Sequence, residues 1–209
     1  MDNDNKNKDI DIKYIDNDKN YISSNAIIDI GCVLEGNNNI GDRVSILHNS
    51  VINNVKVDRY SKVDFSYVED SVIGEKCNIG PFARIRPNSR IGNNVKIGNF
   101  VEIKNSVVGD NTKISHLAYI GDAIVGKNCN IGCGVIFANY NGKTKNQIIV
   151  GDNCFIGSNC NLIAPLHIAD NTYICAGTTV TKDTKPYDFV IGRSRETVKE
   201  NKAKEYIKE

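Results

Sequence analysis

The chain of 209 residues is long enough for one domain with a full core and too short for two large ones. Its 26 Lys and Arg stand against 25 Asp and Glu, so a formal charge of +1 offers no broad basic field for nucleic acid or anionic lipid. No apolar run approaches the roughly 20 residues of a membrane helix and the N-terminus lacks the apolar stretch of a signal peptide, so a cytoplasmic protein that binds no membrane is expected.

Of the first twenty residues, fifteen are Asp, Asn or Lys, a composition too poor in apolar surface to offset the entropy of ordering. Residues 1–24 are therefore expected to form a flexible arm. From residue 25 to 192 a period of six takes over. Aliphatic residues recur at Ile28, Leu34, Ile40, Ile46 and Ile52, at Ile73, Ile79, Ile85, Ile91, Ile97 and Ile103, and at Val150, Ile156, Leu162, Ile168, Ile174 and Val180. Gly often follows, as at Gly41, Gly98 and Gly157, where it suits a bend. Two residues before each aliphatic position stands a small or β-branched one, such as Cys77, Ala83, Ser89, Val95 or Thr172, and a strand turns both to the same side. Each hexad is then a short strand and a turn, and three hexads close a triangular coil of a parallel β-helix. The pattern resembles the hexapeptide-repeat transferases, and that resemblance implies a left-handed solenoid. Five of the seven cysteines, Cys32, Cys77, Cys129, Cys154 and Cys160, occupy the small inward position and are expected in the core, with no metal or redox use.

Counting three hexads per coil aligns distant residues about 4.8 Å apart. One face is expected to run through Ile97, Ile114, Ile131 and Val150, setting His116 above Cys133. A second is expected through Ile85, Ile103, Ile120, Phe137, Ile156 and Ile174, its corner stacking Arg86 on Lys104 with Asn139, Ser158 and Ala176 below. Stacked cations repel unless an anion joins them, which makes Arg86 and Lys104 either an anion site of the kind that takes phosphate or a solvated pair of surface charges. The hexads break at "ANYNGKTKNQI", a loop carrying Tyr140 and Lys145, either functional or a plain hairpin excursion. His116 falls on an outward corner one triangle side from Arg86 and Lys104, under about 20 Å away. If both corners serve one site, several chains packed side by side would bring them together, as in a homotrimer. The terminal "RETVKENKAKEYIKE" sets Glu200 four residues before Lys204, and an exposed helix over 193–209 is expected, either a contact arm or a solvated tail.

The segments "IGPFARIRP", "IGNFVEIK", "SHLAYIGDAIVG", "NIGCGVIFANYNG" and "IAPLHIADNTYICAGTTVTKD" resemble the acetyltransferase half of the bacterial bifunctional N-acetylglucosamine-1-phosphate uridyltransferase and glucosamine-1-phosphate acetyltransferases. That resemblance implies a homotrimeric, acetyl-CoA-dependent N-acetyltransferase with sites between subunits and no metal. It implies that Arg86, Lys104, Tyr119, Asn130 and Lys145 hold the amino-sugar phosphate, that His116 is the general base, and that Asn139 and Tyr140 line the same site. The backbone at Cys133, with Ser158, Ala176 and Arg193, would meet acetyl-CoA. Imidazole suits the role, because an ammonium must lose a proton as its nitrogen attacks a thioester. Three positions depart from the family: Cys133 replaces a usual Ala, Asn141 replaces the Asp after the Asn-Tyr pair, and "ISH" replaces a smaller lead-in. No Gly-rich nucleotide-binding segment precedes the repeat, so uridyltransferase chemistry is not expected. The competing readings are acetyl transfer to another, nucleotide-linked amino sugar, a metal enzyme built on His48, His116 and His167, and a catalytically silent scaffold.

Overall fold

The computed structural model describes residues 19–207 together with the backbone of the strand Lys13–Tyr14. Short strands of two to four residues form three parallel sheets of ten, nine and ten strands, making a β-solenoid of about ten turns. The first sheet runs from Lys13–Tyr14 to Thr179–Val180, the second from Tyr21–Ile22 to Leu166–Ile168, and the third from Ile27–Ile28 to Phe189–Val190. Every coil visits them in that order. The parallel solenoid accords with the expected β-helix.

The hexad explains the core. The aliphatic residue of each strand points inward and is closed from water, as Ile85, Ile103 and Ile120 are on the first sheet and Ile97 and Ile114 on the third. Each such burial contributes roughly 2 kcal/mol relative to exposure. The small inward residue before it also bonds to the neighbouring coil. Thr112 Oγ1 donates to the Gly126 carbonyl at 2.8 Å and accepts from the Cys129 amide at 3.0 Å, while Cys129 Sγ donates to the Gly151 carbonyl at 3.1 Å. The five inward cysteines are buried as expected, and burial pushes the Cys77 thiol up to about 11. Cys175 is buried as well, and Cys133 is half-buried.

Four expectations need correction. The solenoid starts before residue 25: Lys13–Tyr14 pairs with Val33–Leu34, and Tyr21–Ile22 pairs with Asn39–Ile40. The sheets accept these strands because their edges offer unpaired backbone groups whatever the composition of the incoming chain. The rest of the expected arm, residues 1–12 and 15–18, lies outside the described residues. The terminal helix is absent from 193–201, and one 3-10 turn, Lys202–Glu205, stands in its place. Val198, Tyr206 and Ile207 are all exposed, so no packed face holds this segment, and a helix this short is marginal alone.

The third correction concerns the bends. The glycines after the aliphatic residue mostly keep negative φ, and left-handed geometry falls instead on a later corner residue, often Asn. Close stacking is what requires glycine there: a Cβ on Gly98 would collide with the Ser115 carbonyl of the next coil.

The fourth concerns the phase after the loop. Ile131 is followed on the third sheet by Ile156 and Ile174, Phe137 on the first by Leu162, and Val150 lies on the second between Val125 and Ile168. The loop is a hairpin that returns to its point of departure. Tyr140 and Lys145 form an antiparallel bridge, and the Asn146 amide donates to the Asn139 carbonyl at 2.7 Å. The excursion therefore consumes no side of the triangle, and Ser158 and Ala176 move from the Arg86 corner to the His116 corner.

Candidate active site

Three short strands on adjacent coils present the cationic group. Arg84–Ile85, Glu102–Lys104 and Tyr119–Gly121 are neighbours on the first sheet, and Arg86 and Lys104 each follow an inward isoleucine, so both face out at the corner toward the second sheet. Arg86 Nη1 donates to Glu102 Oε1 at 2.8 Å, and this contact holds the guanidinium pKa above its ordinary value. Its Nε is enclosed without a hydrogen-bond acceptor, a donor left over for a ligand. Lys145, brought down by the hairpin, lies beside Lys104 and lowers the Lys104 pKa, with desolvation adding to the effect and Asp122 opposing it. Asp122 in turn fixes the corner: its carboxylate accepts from Asn105 Nδ2 at 2.6 Å and from Asn139 Nδ2.

Tyr119 lies on the same sheet one coil below Glu102. A Cβ on Gly121 would collide with the Tyr119 hydroxyl and approach Asn139 Nδ2 at 2.9 Å, so the phenol and the amide both lie over the bare glycine. Tyr140 is exposed and donates its hydroxyl proton to the Gly142 carbonyl at 2.7 Å. Asn141 shapes the hairpin: its Oδ1 accepts from the amides of Lys143 and Thr144 at 2.9 and 2.8 Å. Asp could accept the same two bonds, so this departure leaves the loop intact.

His116 ends the strand Lys113–His116 at the opposite end of the first sheet, on the corner between the third sheet and the first. Its Nδ1 lies 2.6 Å from Asn99 Oδ1, and its Cα pairs in register with Asn99. Beside it a groove of about 420 Å³ is walled by Pro81, Phe82, Phe100 and Lys96. Down the same corner, each two residues past an inward isoleucine, come Cys133, Ser158 and Ala176 on successive coils. Arg193 closes the line, with Nη1 donating to the Ala176 carbonyl at 2.7 Å. From His116 to Ala176 the track runs over small side chains for about 14 Å, at roughly 4.8 Å per coil, and ends on a cation. An extended, phosphate-bearing chain fits such a track.

The structure therefore gathers Arg86, Lys104, Tyr119, Asn139, Tyr140 and Lys145 at one end of the first sheet, and His116, Cys133, Ser158, Ala176 and Arg193 at the other. Asn130 joins neither, facing outward on the third sheet between Lys113 and Phe155. Sequence reading missed Asn99, Glu102 and Asp122, the partners that orient His116, Arg86 and Asn139. The stacking count contained the signal for Asn99, which stands two residues past Ile97 as His116 stands two past Ile114. Among the described residues, no three of His, Cys, Asp and Glu gather as a metal site, and no helix is long and apolar enough to cross a membrane.

Hexads, triangular coils and an outward imidazole define a hexapeptide-repeat protein. Residues 80–144 match the family described as the GMPPB C-terminal domain, and residues 147–182 match the hexapeptide repeat of succinyl-transferase. Within that class the chain is homologous to the acetyltransferase region of bifunctional protein GlmU. It is 47% identical over 192 residues to GlmU of Clostridium botulinum (strain ATCC 19397 / Type A), covering 92% of this chain and 42% of the relative. Against GlmU of Clostridioides difficile (strain 630) it is 47% identical over 187 residues, covering 90% and 40%. The chain thus spans about two fifths of the length of these curated relatives. Among solved structures, LpxA, a UDP-N-acetylglucosamine acyltransferase from Bacteroides fragilis 9343, aligns with a TM-score of 0.58 at 23% identity, over 81% of this chain and 68% of that one. It shares the fold.

Proposed function

We propose that the protein is an acetyl-CoA-dependent N-acetyltransferase acting on an amino-sugar phosphate, with glucosamine-1-phosphate as acceptor and His116 as general base. The observation that carries this reading is the Arg86–Lys104–Lys145 cluster on one corner, with an enclosed Arg86 Nε lacking an acceptor. Three cations around an unsatisfied donor call for a ligand with several anionic oxygens, as a phosphate has. The homology to GlmU supports the same assignment.

In this reading Arg86, Lys104 and Lys145 bind the phosphate, while Tyr119 and Asn139 orient the sugar. Cys133, Ser158, Ala176 and Arg193 hold acetyl-CoA along the corner track, and the co-substrate supplies an activated acetyl group. His116 Nε2 takes the proton that the amine releases as it attacks. The Cys133 backbone amide, at a bend beside His116, stabilises the charge that develops on the thioester oxygen. What remains is to hold both substrates in the reacting geometry.

Cation cluster and imidazole sit at opposite ends of one sheet in a single chain. A homotrimer would place the imidazole corner of one subunit against the cation corner or the Asn130 face of the next, which completes the site between subunits. The substrates of such an enzyme place it in the cytoplasm. Thiol release from acetyl-CoA, measured with glucosamine-1-phosphate and with nucleotide-linked amino sugars, tests the assignment. Turnover is expected with the sugar phosphate. Turnover confined to nucleotide-linked sugars would replace the acceptor, and no turnover with any amino sugar would leave a scaffold.

A further inference from the structure

We propose that Asn99 is a positioning residue for His116, its side-chain carbonyl accepting the Nδ1 proton so that the lone pair of the neutral ring lies on Nε2. The inference rests on the reading of His116 as general base.

The contact is short and held from several directions. Asn99 Oδ1 and His116 Nδ1 are 2.6 Å apart, and the two residues are Cα partners in a parallel ladder. They end the strands Lys96–Asn99 and Lys113–His116, four residues each where other described strands have two or three, so ladder geometry extends out to this corner. The backbone works with the side chain: the Leu117 amide donates to the Asn99 carbonyl oxygen at 3.0 Å, which ties the residue after His116 to the same partner.

An amide oxygen can only accept, so the ring nitrogen facing it must carry the proton. The neutral ring then presents Nε2 as its acceptor. The contrast with His48 shows what Asn99 achieves. His48 occupies the same corner several coils away, and both its nitrogens face carboxylates, Nδ1 to Asp64 at 2.7 Å and Nε2 to Asp29 at 3.4 Å. That ring has no free nitrogen. At His116 a single neutral partner fixes the tautomer while leaving one nitrogen open, and it adds no negative charge that would favour the imidazolium.

Nitrogen-15 NMR of the imidazoles above their titration reads the tautomer directly. The neutral His116 ring is expected as Nδ1–H, and Asn99→Ala is expected to shift it toward Nε2–H. In steady-state assays Asn99→Ala should lower kcat about tenfold or more with acceptor KM little changed, as loss of an orienting partner does. Asn99→Asp should keep activity but move the acid limb of the kcat/KM profile up by about one pH unit, because a carboxylate favours the protonated ring and the base must be neutral to act. In a His116→Ala background, Asn99→Ala should have no further effect. An Nε2–H ring in the wild type would overturn the proposal. So would wild-type rate and pH profile in both Asn99 variants alongside an inactive His116→Ala. Wild-type turnover by His116→Ala would instead sink the general-base reading, and the NMR tautomer would still decide the Asn99 contact.

Discussion

Two corners of the triangle do the same mechanical work with different residues. Between the second and third sheets the left-handed turn residue is Arg43, Tyr60 and Lys76 in the early coils and Asn94, Asn111, Asn128, Asn153 and Asn171 in the later ones. The asparagine side chains form a ladder, with Asn111 Nδ2 donating to Asn128 Oδ1 at 3.1 Å, Asn128 to Asn153 at 3.0 Å and Asn153 to Asn171 at 3.2 Å. Between the third and first sheets the left-handed positions include Asn49, Asn159 and three glycines in the outer coils, but Phe65, Phe82, Phe100 and Leu117 in the coils between, with Phe65 tilted on Phe82 at 5.5 Å and Phe82 stacked on Phe100 at 5.7 Å between centroids. Asn tolerates that backbone because its short amide bonds locally, whereas a large side chain makes it costly. On the coils of Phe100 and Leu117 the ladder corner turns on Asn94 and Asn111, whereas the corner that carries the imidazole and the groove turns on Phe and Leu at an energetic cost, as strained backbone often marks a functional site.

Substitutions can break this contrast, beginning with the largest effect. His116→Ala should lower kcat by roughly 10²-fold or more with the thermal unfolding midpoint unchanged. Wild-type turnover would strip the aromatic corner of its chemistry. Arg86→Ala should raise acceptor KM about tenfold or more, the scale of a lost charge-assisted hydrogen bond, and leave the KM for acetyl-CoA unaltered. A selective loss of acetyl-CoA binding would exchange the roles of the two ends of the first sheet. On the ladder corner, Asn128→Ala should cost about 1–2 kcal/mol by denaturant unfolding, since Ala must adopt a left-handed φ and two ladder bonds go. Its activity should match the wild type. The smallest and sharpest test is Leu117→Asn. Leu117 is 54% exposed, so little burial is lost, and relief of its left-handed backbone should stabilise the fold by about 1 kcal/mol. A drop in activity with that gain would show that the strained residue holds His116 in place. Acceptor KM should also rise at alkaline pH earlier than an ordinary lysine would allow, because Lys145 depresses the Lys104 pKa and the neutral amine no longer attracts phosphate.

Much of the architecture was legible because the hexad is a local rule. Ile97, Ile114 and Ile131 stack as counted, the inward cysteines are buried, and His116 stands above Cys133. The count failed at the first non-local event. Nothing in "ANYNGKTKNQI" says that Asn146 returns to bond Asn139, so the phase beyond it slipped by one face, and Ser158 and Ala176 were assigned to the wrong corner. The candidate site was legible in part for the same reason. Arg86 and Lys104 could be stacked from spacing, but Glu102 as the guanidinium's partner and Asp122 as the clamp on Asn139 depend on side-chain reach across coils.

From the sequence alone follow the period, the inward and outward faces, and the candidate chemistry, because a strand alternates its side chains within a few residues whatever surrounds it. Tertiary structure alone settled which corners those side chains share, where the hairpin rejoins the coil, and which amide faces the imidazole. The shared corners and the partner of the imidazole are relations between residues seventeen or more apart, set by how one coil lies on the next, and the hairpin's return is the contact of Asn146 with Asn139, which spacing does not encode.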